Sequence, residues 1–173
     1  MDMRDAKDSL PADFLAPLEK ILRQVIEHGG FELTYVIQPA QPLEDGAAGP
    51  EFVVDFSGPD AELLLERNAA LLDALEYVLL RAARLRGELS GKIVFDCQDW
   101  RRTRADELRL TAQMAAERVS ASGTSLELTP MSARERRIIH LALKDHPGVQ
   151  TLSEGLGPDR RIVILPASPA SSR

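Results

Sequence analysis

Met131-Ser132-Ala133-Arg134-Glu135-Arg136-Arg137-Ile138-Ile139-His140 reads as the opening of a helix. The Ser132 hydroxyl can satisfy an orphan amide of the first turn, and Glu135, three residues on, can reach back to the Ser132 amide, which makes a capping box. The helix runs to about Asp145, where His146-Pro147-Gly148 breaks it. Arg136, His140 and Lys144 stand at i, i+4 and i+8, so they project from one stripe, with Arg137 beside them. A cationic ledge of this kind suits phosphate, because Lys and Arg contacts release condensed counterions. A neutral imidazole can hydrogen-bond a phosphate or a base, or stack. Spacing alone favours the plainer reading, a solvated helix face with a satisfied histidine.

Downstream, Val149–Ser153 and Arg161–Leu165 read as a hairpin joined by Glu154-Gly155-Leu156-Gly157-Pro158-Asp159. Arg160 and Arg161 lie on that hairpin, which should fold back against the capped helix. Upstream, residues 99–122 form a long helical segment with Leu108, Ala112, Ala115 and Val119 on one stripe. Gly123 ends it, and Ser125–Leu128 is a short strand.

The N-terminal half has a different rhythm. Pro17 suits a first helical turn, Phe14, Leu18, Ile21, Leu22 and Val25 recur at helical spacing, and Gly29-Gly30 stops the helix. Phe31, Leu33, Tyr35 and Ile37 share one face and alternate with Glu32, Thr34 and Val36, and Phe52, Val54 and Phe56 alternate in the same way, giving two strands around a Pro- and Gly-rich loop at 39–50. A short helix over Ala61–Arg67, a longer one over about Ala70–Arg86 and a strand at Lys92–Cys97 follow. The order is α-β-β-α-α-β.

The whole chain has 173 residues, 44% of them hydrophobic, and a net charge of −6. That balance by itself argues against a nucleic-acid binder. It is an average over unlike halves. Residues 1–97 carry 9 Lys and Arg against 18 Asp and Glu, a net of −9, whereas residues 98–173 carry 12 against 9, a net of +3. Cys97 is the single cysteine, so there is no internal disulfide and no multi-cysteine zinc site. His28, His140 and His146 lack metal-ligand spacing. No apolar run approaches a membrane span, and the polar, acidic N-terminus is no signal peptide. A protein of a reducing, cytoplasmic compartment is expected, with no cofactor and no metal.

Three further clusters invite a functional reading. In Trp100-Arg101-Arg102-Thr103-Arg104 an aromatic beside arginines could stack a base, or Trp100 could plug a domain junction. The turn Glu66-Arg67-Asn68-Ala69 could aim a helix N-terminus at a phosphate, although Glu66 works against it, or it is a plain connector. Cys97 lacks a partnered base, and Asp96 and Asp99 beside it are spaced too commonly to signal acid–base chemistry. No enzyme is expected.

Met131–His140, with its Arg136-x3-His140 pair, resembles the R-three-H domain, and Ser153–Ile164 resembles the end of that domain. The α-β-β-α-α-β order upstream is similar to a type II KH domain, with Leu71-Leu72-Asp73-Ala74-Leu75-Glu76-Tyr77 matching its second core helix. A KH domain followed by an R-three-H domain is the arrangement of the bacterial Jag/KhpB family, and the resemblance covers about residues 15–166. It implies binding of single-stranded RNA or DNA without catalysis. It also implies association with a second small KH protein or with the membrane-protein insertase. A KH domain approaches phosphates through a GxxG loop, since glycine has no Cβ. By position that loop is Glu66-Arg67-Asn68-Ala69, with both glycines absent. A short polar lead is expected in place of the small N-terminal domain of many relatives.

The expected class is therefore α+β: a flexible N-terminus at 1–13, a KH-like domain at 14–98, a linking helix and R-three-H domain at 99–166 in which a helix packs on a short antiparallel sheet, and a disordered tail at 167–173. Binding is expected through Arg136, His140, Arg137, Lys144, Arg160 and Arg161, with Glu66, Arg67, Asn68 and Ala69 a degenerate KH loop. The alternative is an adaptor whose KH-like half contacts a partner protein.

Overall fold

The computed structural model describes residues 15–41, 49–85 and 87–167. The expected flexible lead at 1–13, most of the 39–50 loop and the tail beyond Ala167 lie outside the described residues. The chain folds as two compact units that divide between Trp100 and Arg101.

The first unit follows the α-β-β-α-α-β order. Helix α1 (Ala16–Gly29) starts with Pro17 in its first turn and ends at Gly30, whose φ of 69° is the left-handed conformation glycine adopts freely. Strands β1 (Thr34–Pro39) and β2 (Phe52–Ser57) pair antiparallel, and β3 (Ile93–Cys97) pairs parallel with β2, giving the sheet order β1-β2-β3. The parallel pair requires a crossover, and α2 (Ala61–Ala82) supplies it. A short α3 (Glu88–Gly91), unforeseen in the sequence, precedes β3. Alternation along the strands turns Val54, Phe56, Ile93, Phe95 and Cys97 into a core with Leu18, Leu22, Leu64, Leu72 and Leu79. The Phe56 and Phe95 rings meet at 5.4 Å between centroids.

α2 is two helices joined by a break. Glu66 is extended (φ −56°, ψ 149°), and Arg67, Asn68 and Ala69 have φ of 53°, 59° and 58°. This break falls at the 66–69 turn expected between the two helices, and it keeps three consecutive left-handed residues without a glycine. A left-handed L-residue costs on the order of 1–2 kcal/mol. Ala69 is fully buried, so its methyl is part of the packing that holds the turn. On the outer edge of the sheet, the Phe95 amide donates to Glu76 Oε2 of α2 at 2.9 Å.

The second unit contains α4 (Trp100–Ser122), β4 (Leu126–Glu127), α5 (Ala133–Leu143), β5 (Val149–Glu154) and β6 (Arg161–Pro166). The sheet order is β4-β6-β5, all antiparallel. α4 buries Leu108, Ala112, Ala115, Ala116 and Val119, one stripe of small residues that admits close packing. Ile139 and Leu143 of α5 join them, with Val149, Ile162 and Ile164 from the sheet. Among the described residues no helix is long and apolar enough to cross a membrane.

Candidate nucleic-acid interface

α5 begins as the sequence indicates. Glu135 N–H donates to Ser132 Oγ at 3.3 Å, and Ser132 N–H donates to Glu135 Oε2 at 2.9 Å. Glu135 also takes Arg104 Nε of α4 at 2.8 Å. Burial by itself would raise the Glu135 pKa, but the hydrogen bonds from Arg104 and Ser132 outweigh it and hold the carboxyl below its ordinary value. The start of α5 is thus locked to α4, which fixes where the next turns point.

Those turns face β5. Arg136 Nη1 donates to Ser153 Oγ at 2.6 Å, and His140 Nδ1 lies 2.7 Å from Thr151 Oγ1. The spacing has a simple origin. Four helical residues rise about 6 Å, and two strand residues rise about 6.6 Å. An Arg-x3-His pair on a helix therefore meets a hydroxyl-x-hydroxyl pair on an antiparallel strand in matching steps. Arg160 completes the cluster: its Nε donates to the same Ser153 Oγ at 3.1 Å. The Arg160 carbonyl accepts the Met131 amide at 3.1 Å, so its backbone is tied to the segment entering α5.

Two guanidinium groups thus converge on one hydroxyl, a fork suited to an oxyanion. Among the described residues no carboxylate pairs with Arg136 or Arg160. Arg136 Nε is buried with no hydrogen-bond partner there, a cost of roughly 1–3 kcal/mol. Folding alone does not require an arginine at this position. His140 is exposed, and with Nδ1 engaged by Thr151 its Nε2 is left for a ligand.

The other expected residues are placed differently. Arg137 is exposed on α5 next to Arg136, and Lys144 caps the end of α5, continuing the stripe past His140. Arg161 is not brought to the cluster. Ile162 and Ile164 face the helices, so Arg161 lies on the opposite face of the sheet, where its Nη1 pairs with Glu127 Oε2 at 3.1 Å. Ser153 and Thr151 carry no sequence signature and were absent from the expected set. A strand alternation ending beside two arginines was the one available hint.

Elsewhere, Trp100 packs against the core of the first unit, and Arg104 is held by Glu135 and Glu107. Cys97 is buried, with Sγ 3.7 Å from the Ala61 carbonyl oxygen. Burial pushes its thiol pKa up, and Asp55 and Asp96 push it further.

Residues 106–166 match the R-three-H domain. The chain is 31% identical over 114 residues to the RNA-binding protein KhpB of Clostridium symbiosum, covering 66% of this chain and 51% of that one. It is 31% identical over 111 residues to the protein of the same name from Lactiplantibacillus plantarum, covering 64% and 34%. To that of Bacillus subtilis it is 32% identical over 112 residues, covering 63% and 53%. The chain thus spans between a third and about half the length of these relatives. The segment that matches the R-three-H domain is thus the one in which an Arg-x3-His helix is seated on its strand, and over most of its length the chain is similar to proteins named KhpB.

Proposed function

We propose that the chain binds single-stranded RNA, without catalysis, through the face built by Arg136, His140 and Arg160, flanked by Arg137 and Lys144. The observation that carries this reading is the convergence of Arg136 and Arg160 on Ser153 Oγ, with no carboxylate paired to either among the described residues. A phosphate can take the place this hydroxyl occupies between the two guanidiniums. His140 Nε2, one helical turn away, then meets the next part of the strand. The relatives' printed name, RNA-binding protein KhpB, supports RNA as the ligand. The compartment is the cytoplasm.

The first unit is read as a KH-like fold that has given up phosphate binding. Its 66–69 turn keeps left-handed geometry, but Glu66 places a carboxylate where an anion would approach. Exposed Tyr77 and Val78 on α2 favour a protein partner for this unit. The deciding experiment is fluorescence anisotropy of the RNase-treated chain with a labelled single-stranded RNA across a salt series. Binding that falls steeply with salt, and falls again in an Arg136→Ala/His140→Ala variant, supports the site. Wild-type affinity in that variant removes it.

A further inference from the structure

We propose that Leu156 is an apolar contact for an unpaired nucleobase, making the hairpin tip a selector for single-stranded over duplex RNA. The proposal rests on the RNA-binding reading of the Arg136–Arg160 face and names what that face's neighbour recognises.

Leu156 is 87% exposed, the highest value among the exposed large hydrophobic residues described. It is held there by an ordered turn. Its carbonyl accepts the Asp159 amide at 3.1 Å, and the Gly157 carbonyl accepts the Arg160 amide at 3.4 Å. Gly155, at φ +90°, packs so closely that a Cβ would meet the Asp159 oxygen at 2.8 Å and the Arg160 Cα at 3.1 Å. Gly157 has a φ of +52°. The chain therefore closes tightly around the tip while the leucine points out.

The location gives the leucine its meaning. The two ends of this tip are Ser153 and Arg160, partners in the guanidinium fork. A phosphate seated at the fork brings its attached nucleotides to the tip. Leucine cannot hold a phosphate, but it can cover the apolar face of a base. Unpaired bases offer that face, whereas a duplex hides it in the stack. A protein interface would need a contiguous apolar patch. Leu152, the other exposed apolar residue of this hairpin, lies on the Arg161 face of the sheet.

The test uses the full chain and compares Leu156→Ser, Leu156→Phe and Arg136→Ala. Anisotropy titrations employ a mixed-sequence single-stranded RNA and a fully paired duplex over a salt series. Leu156→Ser is expected to weaken single-strand binding about fivefold, with the salt slope and duplex binding unchanged, because no charge is lost. Leu156→Phe is expected to bind the single strand at least as well as wild type. A 2-aminopurine base near the fork should brighten on binding wild type and not on binding Leu156→Ser. If Leu156→Ser binds the single strand like wild type while Arg136→Ala loses affinity, the leucine proposal is overturned and the RNA-binding face stands. If the wild-type chain binds no RNA at low salt, both fall. The exposure of Leu156 makes misfolding an implausible source of any loss.

Discussion

His140 Nδ1 and Thr151 Oγ1 are 2.7 Å apart, across the gap between a helix and an antiparallel strand. The contact fixes which imidazole nitrogen is spent inside the protein and which faces outward. Thr151→Val removes the hydroxyl and keeps the shape. RNA affinity should fall several-fold, Thr151→Ser should restore it, and the thermal midpoint should shift by only a few degrees. Anisotropy and circular dichroism check the two parts. A Thr151→Val chain with full affinity would show that the imidazole needs no anchor.

Arg136 and Arg160 both donate to Ser153 Oγ, so on the proposed RNA-binding reading their losses should not add. Arg136→Ala is expected to lower affinity and reduce the salt slope by about one unit. Adding Arg160→Ala should cost less than it does alone in the wild type, which a double-mutant cycle measures. Arg161→Ala, on the other face of the sheet and paired with Glu127, should change affinity little.

The two units respond oppositely to acid. Glu135 has its folded pKa below its ordinary value of 4.5. Its contribution is complete above that value and is lost as pH falls through the lower, folded one. Asp55 has its pKa raised above 3.8 by burial, then by Asp96 and Asp99. Its ionised form therefore penalises the fold, and acid relieves the penalty. As pH is lowered into the ordinary carboxylate range, residue-resolved hydrogen exchange should show protection rising around Asp55 and falling around Glu135. Asp55→Asn should abolish the gain.

Cys97 combines a raised pKa with complete burial. A disulfide reagent at neutral pH should leave it unlabelled in the native chain and label it fully in urea. Rapid native labelling would mean that β3 opens far more readily than its packing suggests.

The left-handed turn makes a backbone prediction. Arg67 is exposed at φ 53°, where glycine is at ease. Arg67→Gly should stabilise the first unit by up to about 1 kcal/mol, the strain removed less the extra freedom of the unfolded chain. In RNA binding, Glu66→Gly with Ala69→Gly should raise affinity if the missing glycines and the acid are what silence this turn.

Sequence periodicity carried most of this architecture because each half repeats a strong pattern. Phe52, Val54 and Phe56 alternate cleanly, and Leu108, Ala112, Ala115 and Val119 form one helical stripe, so burial follows directly. The capping box at Ser132 was legible because its two hydrogen bonds are local. Ser153 and Thr151 were not, since a hydroxyl on a strand acquires a role only when a helix distant in sequence delivers partners to it. Arg161 was grouped with Arg160 because adjacency in sequence hides the reversal of side-chain direction along an extended chain. α3 is four residues long and lacks a periodic signature. A turn at 66–69 is legible between the two helical patterns, but three left-handed residues without glycine cannot be read from Arg, Asn and Ala, whose ordinary preferences point elsewhere.

Glu76 reaches one edge of the first sheet. β3 is an outer strand of its sheet, and such strands invite a neighbouring molecule to add one more. The Glu76 carboxylate already occupies the Phe95 amide on that edge. An incoming strand would have to displace a charged acceptor and leave it facing the neighbour's own carbonyls. One side chain from a helix thus stands in the way of strand addition at the β3 edge.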